Sequence, residues 1–164
     1  MKKIALISLG CVKNTVDSEA ILALFKKPHF EIVTNLEESD VIIINTCGFI
    51  LSAKIEGINV ILDALKYKKT TVVVGCLVER YYEELKEEIP EVDLWVKFKD
   101  EYKLLPSMIQ GLFDDEVVEP KFDIFKRVDD SKYSTYIKIS EGCDNFCAFC
   151  AIPLITGRHT SIPM

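Results

Sequence analysis

Three apolar stretches, Ile4 to Leu9 interrupted by Ser8 alone, Val41 to Ile44 and Val72 to Val74, each followed by a helical pattern, constrain this chain more than anything else in it. A strand that is apolar on both faces must be covered on both faces, which is the condition of a parallel sheet sandwiched between helices. Shorter runs at Phe30 to Val33 and Val92 to Val96 bring the expected strands to five. Asn14 is expected to cap a helix reaching about Phe25, with Asp17 in its first turn. Ser52 is expected to start a second helix ending near Leu65, and Tyr81 to Glu88 to form a third. Parallel neighbours need crossover helices, so the alternation predicts an α/β fold, a doubly wound, mainly parallel five-stranded sheet.

This first domain is expected over residues 1–112, its last helix running from Asp100 to Leu112 and broken by Pro106. The acidic stretch from Asp114 to Asp130 reads as a connector, 113–132. Tyr133 to Ser140 then alternates and is rich in β-formers, so it predicts a fresh strand. A second domain, 133–164, begins there and is expected to be incomplete.

The bulk numbers set limits on function. With 164 residues, 49% of them apolar, the chain can bury a substantial core. Its net charge of −6 is spread evenly, so no segment carries the basic footprint of a nucleic-acid groove. Met1-Lys2-Lys3 followed by Ile4 to Gly10 and Cys11 imitates a secretory or lipoprotein signal. It is too short for one, and Ser8 is a poor residue three places before a lipidated cysteine. No apolar run reaches the roughly 20 residues that span a membrane. The reading is a cytoplasmic protein without membrane attachment, where thiols stay reduced. Six cysteines then point to metal or redox chemistry rather than disulfides.

Those cysteines fall into two trios. Cys143, Cys147 and Cys150 have the spacing C-x3-C-x2-C, which lets three thiolates converge on three corners of a 4Fe-4S cubane and leaves the fourth iron open. A structural zinc site would want four protein ligands, and no partner pair is present. Cys11, Cys47 and Cys76 stand singly, each just past the carboxyl end of an expected strand: the first, third and fourth. In the order 2-1-3-4-5 those strands are neighbours, about 4.8 Å apart, and ligands of open α/β sheets bind in this crevice. Each cysteine alone reads as a small buried hydrophobe. Three at equivalent strand ends read as one shared site, with Gly10, Gly48 and Gly75 permitting close turns.

The chain resembles the radical-SAM methylthiotransferases, and within them the RimO type. The residues that carry this are Ser8-Leu9-Gly10-Cys11-Val12-Lys13-Asn14 with Val16-Asp17-Ser18-Glu19, then Asn45-Thr46-Cys47-Gly48-Phe49-Ile50, and Gly75-Cys76-Leu77 with Arg80-Tyr81. Glu141-Gly142-Cys143-Asp144-Asn145 and Cys150-Ala151-Ile152-Pro153 follow. The tRNA-modifying, MiaB-like branch typically carries an aromatic residue before the first Gly-Cys and a Gln-Met after it, so Leu9 and Val12-Lys13 favour the RimO type.

The resemblance implies two 4Fe-4S clusters and S-adenosylmethionine. Cys143, Cys147 and Cys150 would hold the cluster that chelates S-adenosylmethionine and reduces it to a 5'-deoxyadenosyl radical. Phe149 would lie near the adenine. Cys11, Cys47 and Cys76 would hold an auxiliary cluster that carries the sulfur unit. The implied substrate is an aspartate of ribosomal protein twelve of the small subunit, thiomethylated at its β-carbon. An electron donor such as flavodoxin or ferredoxin is implied, and RNA contact only through further domains. The 133–164 segment would be the start of a radical-SAM α/β barrel, and the 164-residue chain alone is expected to be inactive. The alternatives are a MiaB-like enzyme acting on a tRNA adenosine and a non-enzymatic metal-binding module.

Other residues have plainer readings. His29 and His159 lack a partner at metal-ligand spacing, Arg158 reads as solvated, and Glu83, Glu84, Glu87 and Glu88 as a solvated helix face. Trp95 is expected in the core. Arg80 and Tyr81 fit helix packing and a role beside Cys76 equally well.

Overall fold

A computed structural model of the chain describes residues 1–25, 28–97, 102–113, 126–128 and 133–162. Its first five strands are β1 (Lys2–Ser8), β2 (Phe30–Ile32), β3 (Val41–Thr46), β4 (Thr70–Gly75) and β5 (Leu94–Trp95), all parallel, in the order β2-β1-β3-β4-β5. The helices between them are α1 (Val12–Leu22), α2 (Leu51–Leu65) and α3 (Cys76–Glu88), and α4 (Leu105–Leu112) follows a 3-10 turn at Tyr102–Leu104. The doubly wound parallel sheet expected from the apolar runs is the fold observed.

The apolar runs are continuous because each strand feeds two cores. Val41, Ile43, Val72 and Val74 join Ile4, Ile21, Phe25, Leu105 and Ile109 on the α1 and α4 side. Ile42, Ile44 and Val73 join Ile61, Leu77, Leu85 and Trp95 on the α2 and α3 side. Every residue of β3 is buried. Each fully buried Val, Leu or Ile contributes about 1.5–3 kcal/mol of transfer free energy, so the central strands anchor the domain. Trp95 is in the core as expected.

Several boundaries differ from the sequence expectation. Helix α1 starts at Val12, with Cys11 at its N-cap, so Asn14 is not a cap and Asp17 lies in the second turn. Helix α2 starts at Leu51 rather than Ser52. Helix α3 starts at Cys76, directly after β4, and kinks at Tyr81, where only its second half was expected. Gly75, at φ 103°, turns the strand straight into the helix, so there is no loop and no capping side chain to read. Pro106 sits in the first turn of α4, where its missing N–H costs no hydrogen bond, so it opens this helix rather than breaking it.

The connector expected at 113–132 lies mostly outside the described residues. The strand expected at Tyr133 to Ser140 is reduced to β6 (Ser140–Glu141), which pairs antiparallel with β7 (Thr160–Ser161). Tyr133, Tyr136, Ile137 and Ile139 are exposed. A ladder needs a neighbouring strand to exchange hydrogen bonds with, and among the described residues only β7 pairs with it. A short helix, α5 (Ile152–Thr156), follows the C-x3-C-x2-C loop and meets α3, with Ile155 buried. No described helix is long and apolar enough to cross a membrane.

Candidate functional site

The register of the sheet brings the first trio together. Ser8 pairs with Asn45, and Asn45 with Val74, across three adjacent strands. Cys11, Cys47 and Cys76 stand three, two and two residues beyond that row, at the carboxyl ends of β1, β3 and β4. The reversal of strand order falls between β1 and β3, so the site opens at the crevice where such sheets bind ligands. A Cβ added to Gly10 would stand 3.1 Å from the Cys47 Sγ, which puts the turn before Cys11 directly against Cys47. Cys11 is exposed, whereas Cys47 and Cys76 are buried.

A polar network that the sequence reading missed holds these ends in place. The buried Asn14 amide donates to the Leu9 carbonyl and the Thr46 carbonyl, both at 2.9 Å, and its Oδ1 lies 3.8 Å from the Cys76 Sγ. The Asn45 amide donates to the Asn14 carbonyl and the Ser18 Oγ, and Ser18 donates to the Ser8 hydroxyl. Thr46 donates to the Val74 carbonyl. The Arg80 guanidinium donates to the Gly48 carbonyl at 3.0 Å, and Lys54 and Arg80 both stand over the Tyr81 ring. That gives Arg80 a place in the loop after Cys47. The legible signal was a polar residue, Asn45, closing an apolar run, because a buried amide has to find partners.

Among the described residues, no group of three or more His, Cys, Asp or Glu side chains is arranged to hold a metal ion. A cubane poses a different demand, since each thiolate takes a different iron and the ligands need not crowd around one centre. Burial, and then Cys47 and Cys11 nearby, push the Cys76 thiol up to about 12. A buried sulfur whose ionisation is opposed by burial and by its two sulfur neighbours, in a set of three soft donors, fits a group that brings positive charge of its own.

The second trio is differently built. Cys143 and Cys150 are half-buried and Cys147 is exposed. The Cys143 N–H donates to the Gly157 carbonyl, the Cys150 N–H to the Cys147 carbonyl, and the His159 N–H to Asp144 Oδ1. Phe149 is 93% exposed. Arg158, read as solvated, stands 5.7 Å from the centre of the Phe146 ring. His29 and His159 are exposed.

Between the trios lies a seam of ion pairs. The Lys138 ammonium is 2.7 Å from Asp17 Oδ1 and 3.1 Å from Glu141 Oε1, and Arg127 is 2.8 Å from Glu19 Oε2. Burial alone would lower the Lys138 pKa; Asp17 and then Glu141 outweigh it and hold it above the ordinary lysine value.

Comparison with known proteins gives a consistent picture. The family described as Uncharacterized protein family UPF0004 matches residues 3–97. A ribosomal protein uS12 methylthiotransferase RimO of Sulfurihydrogenibium sp. is 48% identical over 99% of this chain and 37% of its own length. Proteins of the same name are 48% identical in Alkaliphilus oremlandii, over 98% of this chain and 38% of theirs, and 46% in Aquifex aeolicus, over 97% and 35%. The chain thus spans little more than a third of the length of these curated relatives.

Proposed function

Since the chain belongs to the family described as Uncharacterized protein family UPF0004, matched over residues 3–97, we propose that it serves a methylthiotransferase of the RimO type. In a polypeptide of the relatives' length, the reaction would place a methylthio group on the β-carbon of an aspartate in the small-subunit ribosomal protein uS12. The observation that carries this reading is the row of Cys11, Cys47 and Cys76 beyond the aligned ends of β1, β3 and β4.

Cys11, Cys47 and Cys76 would hold one 4Fe-4S cluster, and Cys143, Cys147 and Cys150 a second that binds S-adenosylmethionine. When bound, these groups supply a radical able to abstract an unactivated hydrogen and a sulfur unit to meet the resulting carbon radical. The chain's own residues bind, orient and shield. Asn14, Asn45 and Thr46 keep the three strand ends in register, and the buried Cys47 and Cys76 keep water from two of the three ligands. The trio leaves one corner of a cubane without a protein ligand, the corner at which sulfur could be presented. Phe149, exposed beside Cys150, is available to stack on the adenine.

Anaerobic reconstitution of the protein at the relatives' length tests this. About eight irons per chain are expected, falling to about four when Cys11, Cys47 and Cys76 become alanine. Mass spectrometry of uS12 should show the methylthio group appear with the intact protein and vanish with the alanine variant. A methylthiolated tRNA nucleoside in place of modified uS12 would move the protein to the MiaB-like branch. Iron unchanged by the triple substitution would sink the auxiliary-cluster reading.

A further inference from the structure

The segment that carries Cys143, Cys147 and Cys150 touches α1 through charges buried where water cannot screen them. The side chains of Lys138, Asp17 and Glu141 are 5%, 8% and 13% exposed. Buried ions are costly unless closely paired, so one ammonium between two carboxylates at this depth demands a reason. We propose that Lys138 is a positioning residue: clasped by Asp17 and Glu141, it docks the C-x3-C-x2-C segment on α1 and so sets how the two cysteine trios stand relative to each other.

The placement supports this from both sides. Asp17 lies six residues beyond Cys11, on the helix that Cys11 begins, and Glu141 lies two residues before Cys143. The clasp therefore joins the two trios by a short path along the chain on either side. A second clasp grips the same helix elsewhere. Arg127 pairs with Glu19 and donates to the Thr135 hydroxyl at 3.1 Å, while the Val128 N–H donates to the Glu19 carbonyl. Residues two apart on a helix point in very different directions, so Asp17 and Glu19 hold the segment from two sides of α1.

At the seam itself the apolar side chains of the segment, Tyr136, Ile137 and Ile139, stay exposed. Beside the clasp lies a cavity of about 210 Å3 lined by Val12, Val16, Tyr136 and Ile137 among others, and Ile137 is exposed. Removing the ammonium would take from Asp17 and Glu141 the one cation shown to bridge them, and with it the link between α1 and the segment. That makes Lys138→Met more disruptive than Asp17→Asn. The double variant, with one carboxylate fewer, should recover part of the loss.

The inference takes its functional meaning from the two-cluster reading, but its docking step can be read without metal. On the 164-residue chain, hydrogen exchange should show amides of residues 126–128, 133–141 and 152–156 opening at least about tenfold faster in Lys138→Met, with β3 and β4 unchanged. Lys138→Arg should restore protection. In the longer, reconstituted protein the same variant should keep its iron and still release 5'-deoxyadenosine, but form at least about tenfold less methylthiolated uS12 per deoxyadenosine. Unchanged exchange in Lys138→Met would overturn the docking, and an unchanged product ratio would overturn its role in alignment. Failure of the unsubstituted protein to bind iron at both trios would defeat the two-cluster reading alone, since exchange still decides the clasp.

Discussion

The two cysteine trios sit in regions of opposite construction. Cys11, Cys47 and Cys76 follow strands whose partners lie on both sides, and buried amides fix each turn. Cys143, Cys147 and Cys150 lie on a loop flanked by two-residue strands and a five-residue helix, with Phe146, Cys147 and Phe149 facing outward. A site built from a finished sheet inherits its geometry from the core beneath it. A site on a short loop must take its position from whatever it docks against, and here that is the ionic seam on α1 together with α5 packed on α3.

Breaking the seam should have the largest effect. Lys138→Met leaves two buried carboxylates without their shared cation and should lower stability by about 3–5 kcal/mol, seen in chemical denaturation of the 164-residue chain. An equal loss in Lys138→Arg would mean that the shape of lysine, rather than its charge, matters at the seam.

Two glycine turns, one in each region, differ in what a side chain there would meet. Gly75 and Gly157 both adopt positive φ, at 103° and 76°. A Cβ on Gly75 would run into the Thr46 carbonyl and Asn45 Oδ1, whereas one on Gly157 would meet nothing within 4 Å. Gly75→Ala should therefore cost about 2–4 kcal/mol, the strain of the left-handed backbone plus a clash that backbone cannot relieve. Gly157→Ala should cost only the strain, about 1–2 kcal/mol. Equal costs, measured by urea unfolding, would erase the claimed difference in packing.

Asn14→Ala probes the network under the first trio. It leaves the Leu9 and Thr46 carbonyls without their amide donor and should cost about 1–3 kcal/mol. Phe149→Ala, in contrast, should leave stability within about 0.5 kcal/mol, because the ring is exposed.

The seam should also have a pH signature. Lys138 is held above the ordinary lysine value of 10.5 in the folded protein, so its contribution is complete below that value and lost as pH rises through the folded pKa. The Tm gap between the unsubstituted chain and Lys138→Met should thus hold steady from neutrality to about pH 10 and narrow in stronger alkali. A gap that narrows near neutrality would point to a different group.

The apolar runs were enough to place five strands in one covered sheet, because a continuous run has only one way to be covered on both faces; their order is a property of the folded sheet. They also placed Cys11, Cys47 and Cys76 at strand ends, and the C-x3-C-x2-C spacing needed no fold at all to be read. Asn14 shows where that reading stopped. A polar residue before an apolar helix looks like a cap, and nothing local distinguishes it from one buried across two strand ends. Cys76 was similarly hidden as a helix start, since Gly75 turns the chain without the usual capping side chain.

Tyr133 to Ser140 went astray for a related reason. Its alternation states that it could be a strand, but pairing belongs to the neighbour, and among the described residues only β7 pairs with its end.

By itself, then, the sequence determined the sheet and the positions of both trios along the chain, because hydrophobic periodicity and ligand spacing are local quantities. Only the tertiary structure decided that Asp17, Lys138 and Glu141 meet. Asp17 and Lys138 lie 121 residues apart, and a charge pair carries no periodic signal: its energy appears only once folding has removed the water between the partners.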